Sequence, residues 1–246
     1  MSNERPSLLA VLAAAVAGVG GLLAVAGPLL ANLGAMAPVG GFGLFALGGL
    51  LGLLGLVLGG IALRTTRGGR PGRGRAWFAV AVGGLALAAL LMGALAGRGA
   101  PRINDITTNP EDPPVFEAAA EDAPNRGRDM AYPADFAAIQ RGAYADLAPI
   151  RLDVPPADAF DRSRRAAEAL GWEVTLADPQ RGMLEARSVS RLFRFVDDVA
   201  VRVRPAEGGS VVDVRSKSRD GRGDLGVNAR RIRDFAAELR AEAGAP

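Results

Sequence analysis

The apolar and polar positions of this chain fall into two regimes. From Leu8 to Leu63 there are 56 consecutive positions without Asp, Glu, Lys or Arg, and Trp77–Gly97 is uncharged as well. A helix needs about 20 apolar residues to cross ~30 Å of hydrocarbon. The first block is too long for one crossing and predicts two, about 8–27 and 41–63, parted by Pro28, Asn32, Gly34, Pro38 and the Gly40–Gly41 pair. A third span follows at about 77–95. Helices of soluble proteins show a polar face, and none of these segments does.

Beyond residue 97 the period changes. Ile103–Thr108 carries the β-branched residues of a short strand. Pro110, Pro113, Pro114, Pro124 and Pro133 then interrupt regular structure, so 98–135 reads as an extended Pro-rich segment, either a tether or a wrapped functional loop. Phe136–Arg141 suits a short helix. Phe160, Ser163, Ala167 and Leu170 share one helical face, and Gly171 stands at the C-terminal cap position. Alternation predicts strands through Trp172, Val174 and Leu176, over 183–189, through Val199, Val201 and Val203, and through Val212 and Val214. The last helix places Leu225, Ile232, Phe235 and Leu239 on one side, with Asp224 as its N-cap. The order α-β-β-β-β-α describes an α+β domain, an antiparallel sheet with helices on one face. An all-α membrane bundle of three helices precedes it, giving a membrane domain at 1–97 and an α+β domain at 136–246.

Charge orients this arrangement. Arg64, Arg67, Arg70, Arg73 and Arg75 crowd the second connection, whereas the first carries no charge. The positive-inside rule sets the Arg64–Arg75 loop and the N-terminus, with Arg5, in the cytoplasm and the C-terminal domain outside. Residues 1–97 hold six basic and one acidic side chain, so the chain's net +3 and pI of 10.1 come from the membrane part. They report topology and lipid contact, and no nucleic-acid partner is expected. Ala24-Val25-Ala26 resembles a small-residue cleavage site, but the segment before it is weakly basic and Pro28 follows closely, so a retained multi-pass protein of the cytoplasmic membrane is expected. Gly48, Gly52, Gly55 and Gly59 form a stripe that lets backbones approach. That stripe suits a compact bundle, a homo-oligomer or an envelope protein partner. No ionisable group lies within the spans, which argues for an anchor rather than an ion-coupled transporter.

The chain has no histidine and no cysteine. It therefore has no imidazole catalyst, thiol nucleophile, disulfide, zinc-thiolate site or lipidated cysteine. Facing the valines of the two central strands inward pairs Val203 with Val212, Val201 with Val214, Arg202 with Asp213 and Asp198 with Lys217. Ser216 then meets Val199 and Ser218 meets Asp197, so polar groups collect at the sheet end nearest the last helix. The candidate ligand-binding set is Asp197, Arg215, Ser216, Ser218, Arg219, Asp224 and Asn228. Arginine forks and a helix N-terminus suit an anion or polar ligand, although Asp224 opposes one. Asp197, Asp198, Asp224 and Asn228 are the oxygen ligands a Ca²⁺ or Mg²⁺ site would use, without an EF-hand spacing. A hydrolase-like enzyme would rest on Asp197, Ser216 and Arg215, but adjacent aspartates on a strand face opposite ways and make a poor dyad. The same residues equally brace a turn. No catalytic residue, metal or cofactor is assigned.

The segments "RINDITTNPEDPPVF", Trp172, "FRFVDDVAVRV" and "DVRSKSRDGRGDLGVNARRIRDF" resemble the family catalogued as domain of unknown function 1499, over about 101–239. The resemblance implies an envelope location and a shared fold, and it transfers no catalytic residue. The expected role is a membrane-anchored extracytoplasmic binding or accessory module. A carboxylate/Ser hydrolase and a scaffold assembled through the spans are the alternatives.

Overall fold

The computed structural model describes residues 7–68 and 70–244. Arg5, assigned above to the cytoplasmic end, lies outside the described residues. Two compact units separate: 1–98 with 191–194, and 99–190 with 195–246.

The first unit is built on three helices, α1 (Leu8–Asn32), α2 (Pro38–Thr65) and α3 (Arg73–Ala96), each long and apolar enough to cross a membrane. Helix α1 continues through Pro28, which the sequence suggested as a break. Pro28 removes the one bond that its N–H would give to the Ala24 carbonyl, and the helix ends about a turn later, at Asn32. The Asn32 side chain returns a hydrogen bond to the Pro28 carbonyl, and Gly34, with φ +70°, ends the helix. Pro38 opens α2 at the first helical position, where its missing N–H costs nothing. Glycine and alanine let the axes close. A Cβ on Gly52 would stand 2.8 Å from the Gly83 carbonyl oxygen, and one on Gly55 2.7 Å from the Ala17 Cβ. Gly48 meets Gly20 and Ala24, and Gly59 meets Ala76 and Ala79, so the glycine stripe packs α2 against both α1 and α3 within the chain.

The second unit is an antiparallel sheet with helices. Its strands are β1 (Asp105–Thr107), β2 (Ile150–Leu152), β3 (Glu173–Asp178), β4 (Met183–Val189), β5 (Val196–Ala206) and β6 (Gly209–Ser218). Its helices are α4 (Ala118–Glu121), α5 (Phe136–Ala143), α6 (Pro156–Ala169) and α7 (Val227–Gly244), with a 3₁₀ turn at Ala123–Asn125. Strands β3 to β6 form a meander, and the free edge of β6 is shared by β1 at one end and β2 at the other. The β5–β6 register pairs Val203 with Val212, Arg202 with Asp213, Asp198 with Lys217 and Asp197 with Ser218, each as the alternation predicts. At the opposite edge β3 shifts register between Val174 and Leu176, a bulge of the kind that blunts edge pairing.

One face of the sheet carries the core. Val199, Val201, Val203, Val212 and Val214 pack with Phe160 and Ala167 of α6 and with Ile232, Phe235 and Leu239 of α7. Trp172 stacks on Phe235 with centroids 5.2 Å apart. The other face is charged, and it is buried under residues 108–135. Asp198, Asp213 and Glu185 are buried there, the last accepting the N–H groups of Glu117, Ala118 and Ala119 at the start of α4. The Pro-rich stretch therefore lies across the sheet. It is held mainly by ion pairs and backbone acceptors, with Phe116, Ala119 and Met130 as a small apolar patch against Ala200.

Candidate functional site

Strand alternation divides the candidate residues between the two sheet faces. On the helix-covered face, Asp197 of β5 and Ser216 and Ser218 of β6 point toward α7. Asn228 and Arg231 are three apart on that helix and so share its inward face. Arg231 donates to Asp197 Oδ2 at 2.6 Å, to Asn228 Oδ1 at 2.6 Å and to Ser216 Oγ at 3.0 Å. The Ser216 hydroxyl donates to Asn228 Oδ1 at 2.6 Å, and the Asn228 amide donates to Ser218 Oγ at 2.9 Å. All five side chains are buried. The Arg231 charge is offset by the Asp197 carboxylate, and the neutral groups use their remaining capacity on one another.

Asp224 organises the approach to this network. Its carboxylate accepts the N–H groups of Gly226 at 2.9 Å and Asn228 at 2.7 Å, which satisfies donors left open where α7 begins. Burial pushes the Asp224 carboxyl above its usual range, opposed by those same N–H groups. The loop ahead of it needs left-handed backbone at Gly221, Leu225 and Gly226. It is tied down from the side of β1, where the Asn104 amide donates to the Gly221 carbonyl at 2.7 Å.

Arg215 and Arg219 lie on the opposite face, away from that network. The Arg215 guanidinium, 2% exposed, grips both oxygens of Asp105 at 2.9 and 2.7 Å and donates to the carbonyls of Pro114 and Met130. It faces the rings of Phe116 and Tyr132 at 4.7 and 5.6 Å. Lys217 completes the group with a 2.9 Å bond to Asp105. Burial, and after it the Asp105 carboxylate, pushes the Tyr132 hydroxyl up to about 12. Arg219 forks onto Asp198 and reaches Asp122 at 2.7 Å. These arginines clamp the covering segment to the sheet.

Of the seven candidates, four thus converge with Arg231, Asp224 caps the helix that presents them, and Arg215 and Arg219 serve the other face. Arg231 was missed because the arginines of α7 read as a solvated surface. Its i+3 relation to Asn228 and i−4 relation to Phe235 is the signal that places it on the buried stripe. Among the described residues no three acidic, histidine or cysteine side chains gather as a metal site, and Asp197 and Asp198 are each bound to an arginine on opposite faces. The Ser216 hydroxyl gives its proton to an amide oxygen rather than to a base, so the network does not prepare a nucleophile.

Above the network a cleft opens where α7 passes the start of β3 and the end of β4. Leu170, Trp172, Ser188, Val227, Arg230, Arg231 and Asp234 line it, and its volume is about 220 Å³. Drug-sized ligands occupy pockets of roughly 300–1,000 Å³, so this space suits a small group. One wall is apolar and aromatic, and the other carries two cations, a carboxylate and a hydroxyl.

No curated protein matches the chain. The family described as protein of unknown function (DUF1499) matches residues 105–239, which include the buried network, the charged outer face and every strand of the sheet. That match covers more than half of the sequence, and the chain belongs to this family.

Proposed function

We propose that this protein is a membrane-anchored binding or accessory module of a bacterial cell envelope, with three spans in the cytoplasmic membrane and its α+β domain on the periplasmic side. The Arg64–Arg75 connection supports that orientation, because basic loops are retained in the cytoplasm. The observation that carries the binding role is the cleft beside Trp172, with Arg231 at its base. The guanidinium there is fixed by three acceptors before any ligand arrives, and such preorganisation lowers the cost of binding. Arg230 and Ser188 add an exposed cation and a hydroxyl beside the Asp234 carboxylate, so the favoured ligand is a small anionic or polar group.

The test is thermal unfolding of the full chain in detergent against inorganic phosphate, carboxylates, sugars, glycerophospho headgroups and divalent cations. Ligand at 100 times its dissociation constant adds about 2.7 kcal/mol to the folded state. The expected result is a rise in Tm with one anionic class that Arg230→Ala removes. No rise with any class, or a rise that survives Arg230→Ala, overturns the reading.

A further inference from the structure

The turn that joins β4 to β5, Arg191–Arg194, clusters with the helical unit. Asn32, the last residue of α1, donates its side-chain amide to the Leu192 carbonyl at 2.6 Å. The Phe193 ring stands edge-on to Phe42 and Phe45 in the first turns of α2, with centroids 5.5 Å from each. All three partners belong to the same end of the bundle, where α1 and α2 connect. Leu192 is left 53% exposed at that level. Arg191 and Arg194 flank the apolar pair, both are exposed, and neither forms an ion pair among the described residues. Arg194 is held at φ +63°, a left-handed conformation that is unfavourable for a side-chain-bearing residue and that a glycine would take freely. The turn is closed by bonds between Ser190 and Phe195 in both directions.

An exposed leucine between two arginines that form no ion pair among the described residues, at the level where spanning helices end, matches the chemistry of a bilayer interface. Leucine enters the acyl boundary there, and arginine extends its stem to keep the guanidinium among the phosphates. Leu29 and Leu33, at the same end of the bundle, are exposed as well. We propose that the Arg191–Arg194 turn is an interfacial anchor that seats Leu192 in the headgroup layer of the leaflet at the α1–α2 connection, with Arg191 and Arg194 on lipid phosphates. An odd number of spans supports this, because the α1–α2 connection and the chain after α3 then emerge on one side. The inference rests on the reading of α1–α3 as spans.

The absence of cysteine from the sequence makes single-site labelling clean. Leu192→Cys, Leu54→Cys and Gln180→Cys are each given a nitroxide label in the full chain, which is reconstituted in phosphatidylethanolamine–phosphatidylglycerol vesicles. Leu54 is lipid-facing in mid-α2, and Gln180 is exposed at the far end of β4. Accessibility to lipid-soluble oxygen and to a water-soluble nickel chelate is then compared. The expected oxygen-to-nickel ratio at Leu192 is several-fold above that at Gln180 and below that at Leu54. Replacing both arginines by Glu is expected to move the Leu192 label toward water. A Leu192 label as aqueous as Gln180 overturns the anchor, as does one shielded from both reagents, which marks a protein partner instead. A ratio unchanged by the arginine reversals overturns the phosphate contacts. An aqueous reading at Leu54 overturns the spanning helices, and the anchor falls with them.

Discussion

Arg231 is the side chain on which the buried network turns, because among the described residues it alone brings a positive charge to the Asp197 carboxylate. Removing one member of a buried pair leaves the other charge uncompensated, at a cost of about 3–5 kcal/mol. Arg231→Met is therefore expected to lower the Tm of the full chain strongly, and Arg231→Met with Asp197→Asn to recover part of the loss, as read by near-UV circular dichroism. Equal Tm values for the single and double variants would show that the charge pair is not the cause. Asp224 gives a pH signature of opposite sense to the usual carboxylate. Its folded pKa lies above the unfolded value, so the folded state holds the proton more tightly. That contribution to stability is complete below the unfolded pKa near 3.8 and is lost as pH rises through the folded pKa. The stability of the natural chain relative to Asp224→Asn should thus fall as pH is raised from about 3.5 to 7, and a rising difference would reverse the assignment. At this scale the sequence was informative wherever alternation ruled. The register put Asp197, Ser216 and Ser218 on one face, and the same rule consigns Arg215 and Arg219 to the other. Arg231 escaped because a long cation in an arginine-rich helix reads as solvated until its buried neighbours are known.

Among the elements, α2 is the central one, with glycines toward both neighbours. Gly52 faces the Gly83 carbonyl and Ala86, where a side chain has no room, whereas Gly43 and Gly60 face open space. Gly52→Leu is expected to lower the Tm of the detergent-solubilised chain by several degrees, and Gly43→Leu to leave it within a degree or so, since only the first forces helices apart. Equal effects at both positions would mean that the glycine stripe does not set the packing. The three apolar helices and the β3–β6 meander were readable from periodicity. Strand β2 was not, because Ile150–Leu152 is only three residues long and takes its strand character from β6. The placement of 108–135 was not readable either. Proline and acidic residues announce irregular backbone, but only the Arg215, Arg219 and Glu185 partners show that this backbone covers a charged sheet face. A sheet face that reads as solvent-exposed by composition is buried here because its charges meet partners on neighbouring strands, Asp213 with Arg202 and Asp105 with Arg215 and Lys217, and in the covering segment, Glu185 with the N–H groups of Glu117, Ala118 and Ala119.

In the molecule as a whole, the first unit holds the long apolar helices, and the charged residues gather in the second unit and in the connection between α2 and α3. That division was legible from the first hundred residues, since neither a 56-residue uncharged run nor an arginine-only connection has a counterpart in the rest of the chain. The full membership of the buried network in the α+β unit was not legible, because it is assembled from β5, β6 and α7 by register and helical phase rather than by a contiguous motif. The strand order also governs how the unit comes into being. Strands β1 and β2 pair only with β6, Asp105 opposite Lys217 and Ile150 opposite Val212. During synthesis from the N-terminus, β1 therefore waits for more than a hundred residues to be added before it finds a neighbour. Until β6 exists, Asp105 has neither Arg215 nor Lys217 and the proline-rich cover has nothing to close upon. The unit therefore stays open until late in synthesis, because the strand that both β1 and β2 pair with is the last of the six to be made.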